Sequence, residues 1–117
     1  MALRALIVDD SPGFRSSAAV LLRAGGVEIA GEASTGAEAL DAVAALRPDV
    51  VLLDIRLPDG DGFAVCRRLV AAGIPVVLCS TRAARDYGDR VTASGATGFL
   101  LKERLSAAEL LRLLGRG

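Results

Sequence analysis

The sequence predicts an α/β fold: five parallel strands joined by helices that cover both faces of the sheet. Three observations predict it. Five short β-rich runs alternate with five Ala/Leu/Arg-rich segments of helical length, the pattern left by crossover helices between parallel strands. Two of the runs, VVLLD and PVVLCS, are almost continuously apolar, as central strands covered on both faces must be. Finally, a chain of 117 residues that is 52% hydrophobic and 24% charged suits one globular domain and is too apolar for disorder.

Taken in order, the strands fall at Arg4–Asp9, Val27–Ala33, Val50–Asp54, Pro75–Ser80 and Gly98–Leu101. Ser11-Pro12 opens the first helix, because Ser caps and Pro suits the first helical position; Gly25-Gly26 ends it. Ser34 or Thr35 opens the second, with Glu38 completing a capping box, and Pro48 stops it. The third runs from about Gly62 to Ala71 and stops at Gly73. The fourth, about Ala83–Ala93, is the weakest, because Gly88 inside it costs about 1 kcal/mol relative to Ala. Ser106 with Glu109 forms a second capping box for the last helix, SAAELLRLL.

Composition excludes several classes of function. Fourteen basic and fourteen acidic residues cancel, so the chain has no positive field to draw in a nucleic-acid backbone. No run approaches the roughly 20 apolar residues of a membrane span, and the start is interrupted by Arg4, so the reading is cytoplasmic, with no membrane partner. Histidine is absent, which removes His-based triads and His-ligated zinc. Cys66 and Cys79 fit no metal-ligand spacing and read as buried small apolar residues. With only four aromatics (Phe14, Phe63, Tyr87, Phe99), the core is aliphatic and any exposed aromatic is a functional candidate.

The chemistry-bearing residues stand at strand ends. Asp9-Asp10 closes the first strand and Asp54 the third, and in an open α/β sheet ligands bind outside the carboxyl ends of the strands. Three carboxylates gathered there repel unless a hard, oxygen-ligated cation neutralises them, and Mg²⁺ is the predicted ion. A carboxylate beside such an ion can take a phosphoryl group as an aspartyl-phosphate, where catalysis is positioning plus charge neutralisation. Ser80, ending the fourth strand, and Lys102, following the fifth, supply a hydroxyl donor and a point charge for the phosphoryl oxygens. Singly, each has a plainer reading: Asp-Asp as a turn and helix cap, Lys102 as a solvated strand end, Ser80 as a strand terminator and Phe99 as core packing. Their company in one register favours the site.

The ordered set Asp-Asp, Asp, Ser, Lys, in the contexts LIVDDSP, DVVLLDIRLPDGDGF, PVVLCS and GFLLKE, resembles the receiver domain of two-component response regulators, over essentially the whole chain. The resemblance implies a flavodoxin-like (CheY-like) doubly wound sheet of order 2-1-3-4-5 and a single receiver domain over 1–117, any output domain being absent from this chain. It makes Asp54 the phosphoacceptor, Asp10 a direct metal ligand, Asp9 a ligand through water, and the Arg56 carbonyl the third protein ligand to Mg²⁺ beside Asp54. Ser80 and Lys102 correspond to the hydroxyl and lysine that sense the phosphoryl group, and Phe99 to the aromatic that swings inward with that hydroxyl. Such a domain catalyses its own phosphorylation and dephosphorylation, as a signalling switch and not a metabolic enzyme.

Further implications are a sensor histidine kinase as donor, a homodimer through the fourth helix, fifth strand and fifth helix or through the first and fifth helices, and DNA contact only through an output domain. Glu103 stands where many receivers have proline after a cis bond, leaving that isomer open; Lys-Glu here resembles the subfamily with LuxR-type helix-turn-helix outputs, implying transcription regulation. Thr81, with Arg56 and Arg82, is placed to hinder the water that would remove the phosphoryl group. The competing expectation is a pseudo-receiver, the same fold serving as an unphosphorylated interaction module.

Overall fold

A computed structural model describes residues 2–116; Met1 and Gly117, the ends of the expected domain, lie outside the described residues. The elements are β1 (Arg4–Val8), α1 (Pro12–Ala24), β2 (Glu28–Ala33), α2 (Gly36–Leu46), β3 (Val50–Asp54), β4 (Arg56–Leu57), β5 (Gly60–Asp61), α3 (Gly62–Ala71), β6 (Val76–Ser80), α4 (Arg90–Ala93), β7 (Gly98–Leu101) and α5 (Ala107–Leu113). Five of the strands form one parallel sheet in the order β2-β1-β3-β6-β7. This is the predicted 2-1-3-4-5 arrangement, the two-residue strands β4 and β5 forming a separate antiparallel ribbon.

Alternation along each strand divides the core into two layers. Ala5, Ile7, Val50, Leu52, Val77 and Cys79 face one side, packed with Ala18 and Leu22 of α1 and Ala107 and Leu110 of α5. Leu6, Val8, Val51, Leu53, Val76 and Leu78 face the other, packed with Ala39 and Val43 of α2 and Phe63, Cys66 and Leu69 of α3. β3 and β6 are buried at every position, which is why their sequences are continuously apolar. Burying one such Leu or Val contributes about 1.5–3 kcal/mol, so these two strands contribute heavily to stability. Close approach of α1 to α5 needs a side-chain-free position: a Cβ on Gly25 would stand 2.2 Å from that of Ala107.

The helix starts follow their capping chemistry. Ser11 Oγ accepts from Phe14 N at 3.2 Å, Thr35 Oγ1 from Glu38 N at 3.0 Å, and Ser106 Oγ from Glu109 N at 3.0 Å. Of the two candidate openers of α2, Thr35 is the cap, while the Glu38 carboxylate turns back to accept from Ser34 N and Oγ, both at 2.8 Å. Both cysteines are buried free thiols, and burial raises the pKa of Cys66 and pushes that of Cys79 up to about 12, so neither is a thiolate.

Two segments depart from expectation. The fourth helix is not continuous over 83–93: a 3₁₀ turn at Ala84–Tyr87 and a single turn of α4 are separated at Gly88, whose φ of 61° no helix accommodates. Neither piece buries a residue, so nothing compensates for the interruption. The stretch after Asp54, where the sequence reading places no strand, pairs Arg56–Leu57 with Gly60–Asp61. No cis peptide occurs among the described residues, so Lys102–Glu103 is trans.

Candidate functional site

The strand ends do converge. One carboxylate oxygen from each of Asp9, Asp10 and Asp54 lies within 4.8 Å of the others. β1 and β3 are adjacent and in parallel register, Val8 against Leu53, so Asp9, the first residue past β1, and Asp54, the last of β3, meet at the same edge. Asp9 is 1% and Asp54 7% exposed, while Asp10 is open to solvent. A cavity of about 300 Å³ is lined by Asp10, Asp54, Arg56, Ser80, Thr81 and Lys102.

Lys102 bridges the two buried acids, with Nζ 2.5 Å from Asp9 Oδ2 and 3.5 Å from Asp54 Oδ2. The aromatic face of Phe14 lies 4.5 Å from the same ammonium, a cation–π contact that fixes the lysine from the α1 side. Asp9 is held in turn by Ser11 N, which donates to Oδ1 at 2.9 Å, and Arg15 Nη1 donates to the Asp9 carbonyl at 2.6 Å. Asp54 Oδ1 accepts only a long bond from Arg56 N, at 3.3 Å.

This pocket holds more negative charge than it neutralises. Burial and then the Asp9 charge push the Asp54 carboxyl up to about 6, with Lys102 pulling the other way. Burial works against the Lys102 charge, but Asp9 and Asp54 outweigh it and raise its pKa. Asp9 Oδ2 is buried, and the group that meets it is the Lys102 ammonium, which Asp54 Oδ2 also draws on. Three carboxylates within reach of one another, a single lysine shared by two of them and open solvent at Asp10 fit a hard, oxygen-ligated, partly hydrated dication.

Of the sequence candidates, Asp9, Asp10 and Asp54 gather within 4.8 Å, Lys102 contacts Asp9 and Asp54, and Arg56, Ser80 and Thr81 rim the same cavity. Phe99 does not line it. It is half-buried on β7, against the core layer that contains Phe63, with its ring centroid 6.5 Å from that of Tyr87. Sequence reasoning missed two residues. Tyr87 places its hydroxyl 2.6 Å from Ser80 Oγ, and the only signal for it was the scarcity of aromatics. Asp59 accepts from Gly36 N at 2.8 Å and Ala37 N at 3.0 Å, so the ribbon after Asp54 also closes the first turn of α2; those two bonds lower its carboxyl pKa. Nothing in a -Pro-Asp-Gly- turn announces so distant a partner.

A family model described as the response regulator receiver domain matches residues 5–114. The chain belongs to that family. Within it, the receiver is 42% identical over 88 residues to protein-glutamate methylesterase/protein-glutamine glutaminase 3 of Hahella chejuensis, covering 75% of this chain and 25% of that protein. It is 40% identical over 105 residues to the DNA-binding response regulator MtrA of Mycolicibacterium smegmatis, covering 87% of this chain and 45% of that one. Among solved structures, the BeF3-activated N-terminal receiver domain of Klebsiella pneumoniae RstA superposes with a TM-score of 0.84 at 30% identity, covering 97% of each chain. This receiver thus spans from a quarter to about half the length of these curated relatives. No helix among its described residues is long and apolar enough to cross a membrane.

Proposed function

We propose that this receiver takes a phosphoryl group onto Asp54 from the phosphohistidine of a sensor histidine kinase, and that the acquired charge switches its interactions. The observation that carries the reading is the unbalanced pocket: three carboxylates within 4.8 Å of one another, answered by a single lysine that touches two of them. As a phosphoacceptor, Asp54 attacks phosphorus, the P–N bond of the donor breaks, and the donor imidazole leaves with the electron pair. With its carboxyl at about 6, Asp54 is mostly ionised near neutrality and so is a competent nucleophile.

Asp9, Asp10, Asp54 and the carbonyl of Arg56 would hold Mg²⁺, which supplies charge neutralisation for the phosphoryl oxygens. Lys102 is near enough to Asp54 to pair with a phosphoryl oxygen once the group is in place. Ser80, on the same cavity wall, donates its hydroxyl hydrogen to another. Phe99 acts as the aromatic switch. Thr81, exposed on the cavity rim, crowds the approach of the hydrolytic water and with Arg56 and Arg82 lengthens the phosphorylated lifetime.

The whole protein's output is a separate matter, because the relatives named above pair such domains with a methylesterase and with DNA binding. A helix-turn-helix output of the LuxR type, giving transcription regulation from the cytoplasm through a phosphorylation-dependent homodimer, is the reading the Lys102-Glu103 pair supports.

Acetyl phosphate with Mg²⁺ tests the core of the proposal. The expected result is one added phosphoryl mass on the intact protein, not gained when the metal is chelated beforehand and absent in Asp54→Asn. A folded wild-type protein that gains no mass under these conditions would instead be a pseudo-receiver.

A further inference from the structure

Ser80 is 4% exposed and its hydroxyl is already engaged on two sides. Arg82 N donates to Oγ at 3.0 Å, and Tyr87 Oη lies 2.6 Å from the same atom. A serine hydroxyl has one hydrogen and two lone pairs, and a phenol is the stronger donor of the two hydroxyls in contact. With the phenol donating, Oγ receives two hydrogens and both lone pairs are filled. The serine's own hydrogen is then the one group left to assign, and the cavity that Ser80 shares with Asp54 and Lys102 holds the acceptors.

Tyr87 is held where this geometry needs it. Its ring stands edge-on to Phe63 at 5.6 Å between centroids and 69° between planes, and Phe63 is fully buried. Arg90 covers the same Phe63 ring at 4.4 Å while its Nη2 pairs with Asp61 Oδ2 at 2.7 Å. The loosely packed 84–93 segment is therefore pinned at its middle, and the pin sets the phenol against Ser80.

We propose that Tyr87 is a positioning residue for phosphoryl transfer: by donating to Ser80 Oγ it obliges the Ser80 hydroxyl to act as a donor toward the phosphoryl oxygen. This rests on the function proposed above and assigns the residue that makes Ser80 competent for it.

The test combines kinetics with spectroscopy on the full chain. Tyr87→Phe keeps the ring and removes only the hydroxyl, and it is expected to slow phosphorylation by acetyl phosphate about five-fold, the equivalent of one hydrogen bond of about 1 kcal/mol. Ser80→Ala is expected to slow it at least as much, and the double variant no more than Ser80→Ala alone, because the tyrosine acts only through the serine. An additive double variant, an unchanged Tyr87→Phe rate, or an accelerated one overturns the proposal; acceleration would mean that Ser80 was donating to Tyr87 and is freed by its loss.

The second arm needs no phosphorylation. Tyr87 is the single tyrosine and tryptophan is absent, so the near-ultraviolet phenol band belongs to this residue. Ser80→Ala is expected to move that band to shorter wavelength in the unphosphorylated, folded protein, and an unmoved band overturns the contact. Should the band move while the wild-type protein accepts no phosphoryl group, the contact stands, but the proposed function fails and takes the positioning role with it.

Discussion

Replacing Asp54 by Asn in the metal-free protein should make it more stable, and the size of the gain follows from the pocket. The Asp54 carboxyl ordinarily titrates at 3.8 and in the fold is pushed up to about 6, by burial first and by Asp9 second. A difference of about two pH units corresponds to about 3 kcal/mol by which the fold disfavours the ionised form. The sign runs opposite to that of a salt-bridged acid. Between about pH 4 and pH 6 the native state holds this proton more tightly than the unfolded chain does, so the Asp54 contribution to stability falls as pH rises through that window.

Asn carries no charge at any pH and can still accept from the Arg56 backbone N–H. Its advantage over Asp should therefore be about 3 kcal/mol near pH 7.5 and only about 1 kcal/mol near pH 4.5. Urea denaturation of both proteins in a chelator, at several pH values, measures the difference directly, and titrating groups remote from the pocket cancel in it. Adding Mg²⁺ should narrow the gap at neutral pH, because the wild-type carboxylate then has a counter-charge. An Asn variant no more stable than wild type near pH 7.5, or a gap that stays constant on acidification, would refute the account of a charge-strained pocket.

Other expectations are simpler. A methyl at Gly62 would stand 2.5 Å from the carbonyl oxygens of both Asp54 and Ile55, so Gly62→Ala should cost about 1–3 kcal/mol and depress phosphorylation with it, as read by urea midpoint and acetyl phosphate kinetics. Phe63→Ala removes the platform shared by Tyr87 and Arg90 and should destabilise by about 3–5 kcal/mol in the same denaturation assay. Thr81→Ala should shorten the phosphorylated half-life several-fold, and an unchanged or longer half-life would remove Thr81 from the list of residues that exclude water. Asp59→Ala should lower the urea midpoint and speed amide exchange at Gly36 and Ala37, whose N–H groups it leaves without an acceptor.

The parts of this protein legible in its sequence are those governed by local rules. β3 and β6 announced themselves because two-sided burial demands unbroken apolar runs, and α1, α2 and α5 because Ser11, Thr35 and Ser106 cap them. Asp9, Asp54 and Lys102 were found because strand ends in a parallel sheet have a common destination. What escaped depended on contacts between residues far apart or on elements too short for a period to register. Asp59 reaches across 23 positions to Gly36. Tyr87 belongs to a single 3₁₀ turn: the sequence marks Gly88 as the weak point of a helix over 83–93, but not that the segment lacks a buried face to hold it together.

The two walls of the Asp54 cavity are unequally built. On one, β3 is buried along its whole length and the ribbon that follows is stitched by Asp59 to the start of α2. On the other, Ser80 leads into two short turns with no buried residue of their own, tied to the core through Tyr87 and Arg90 on Phe63. An added charge at Asp54 pushes on both alike, but only one can yield at small cost. The direction in which this molecule can pass on a disturbance is thus fixed by where it is soft, before any partner is present to receive it.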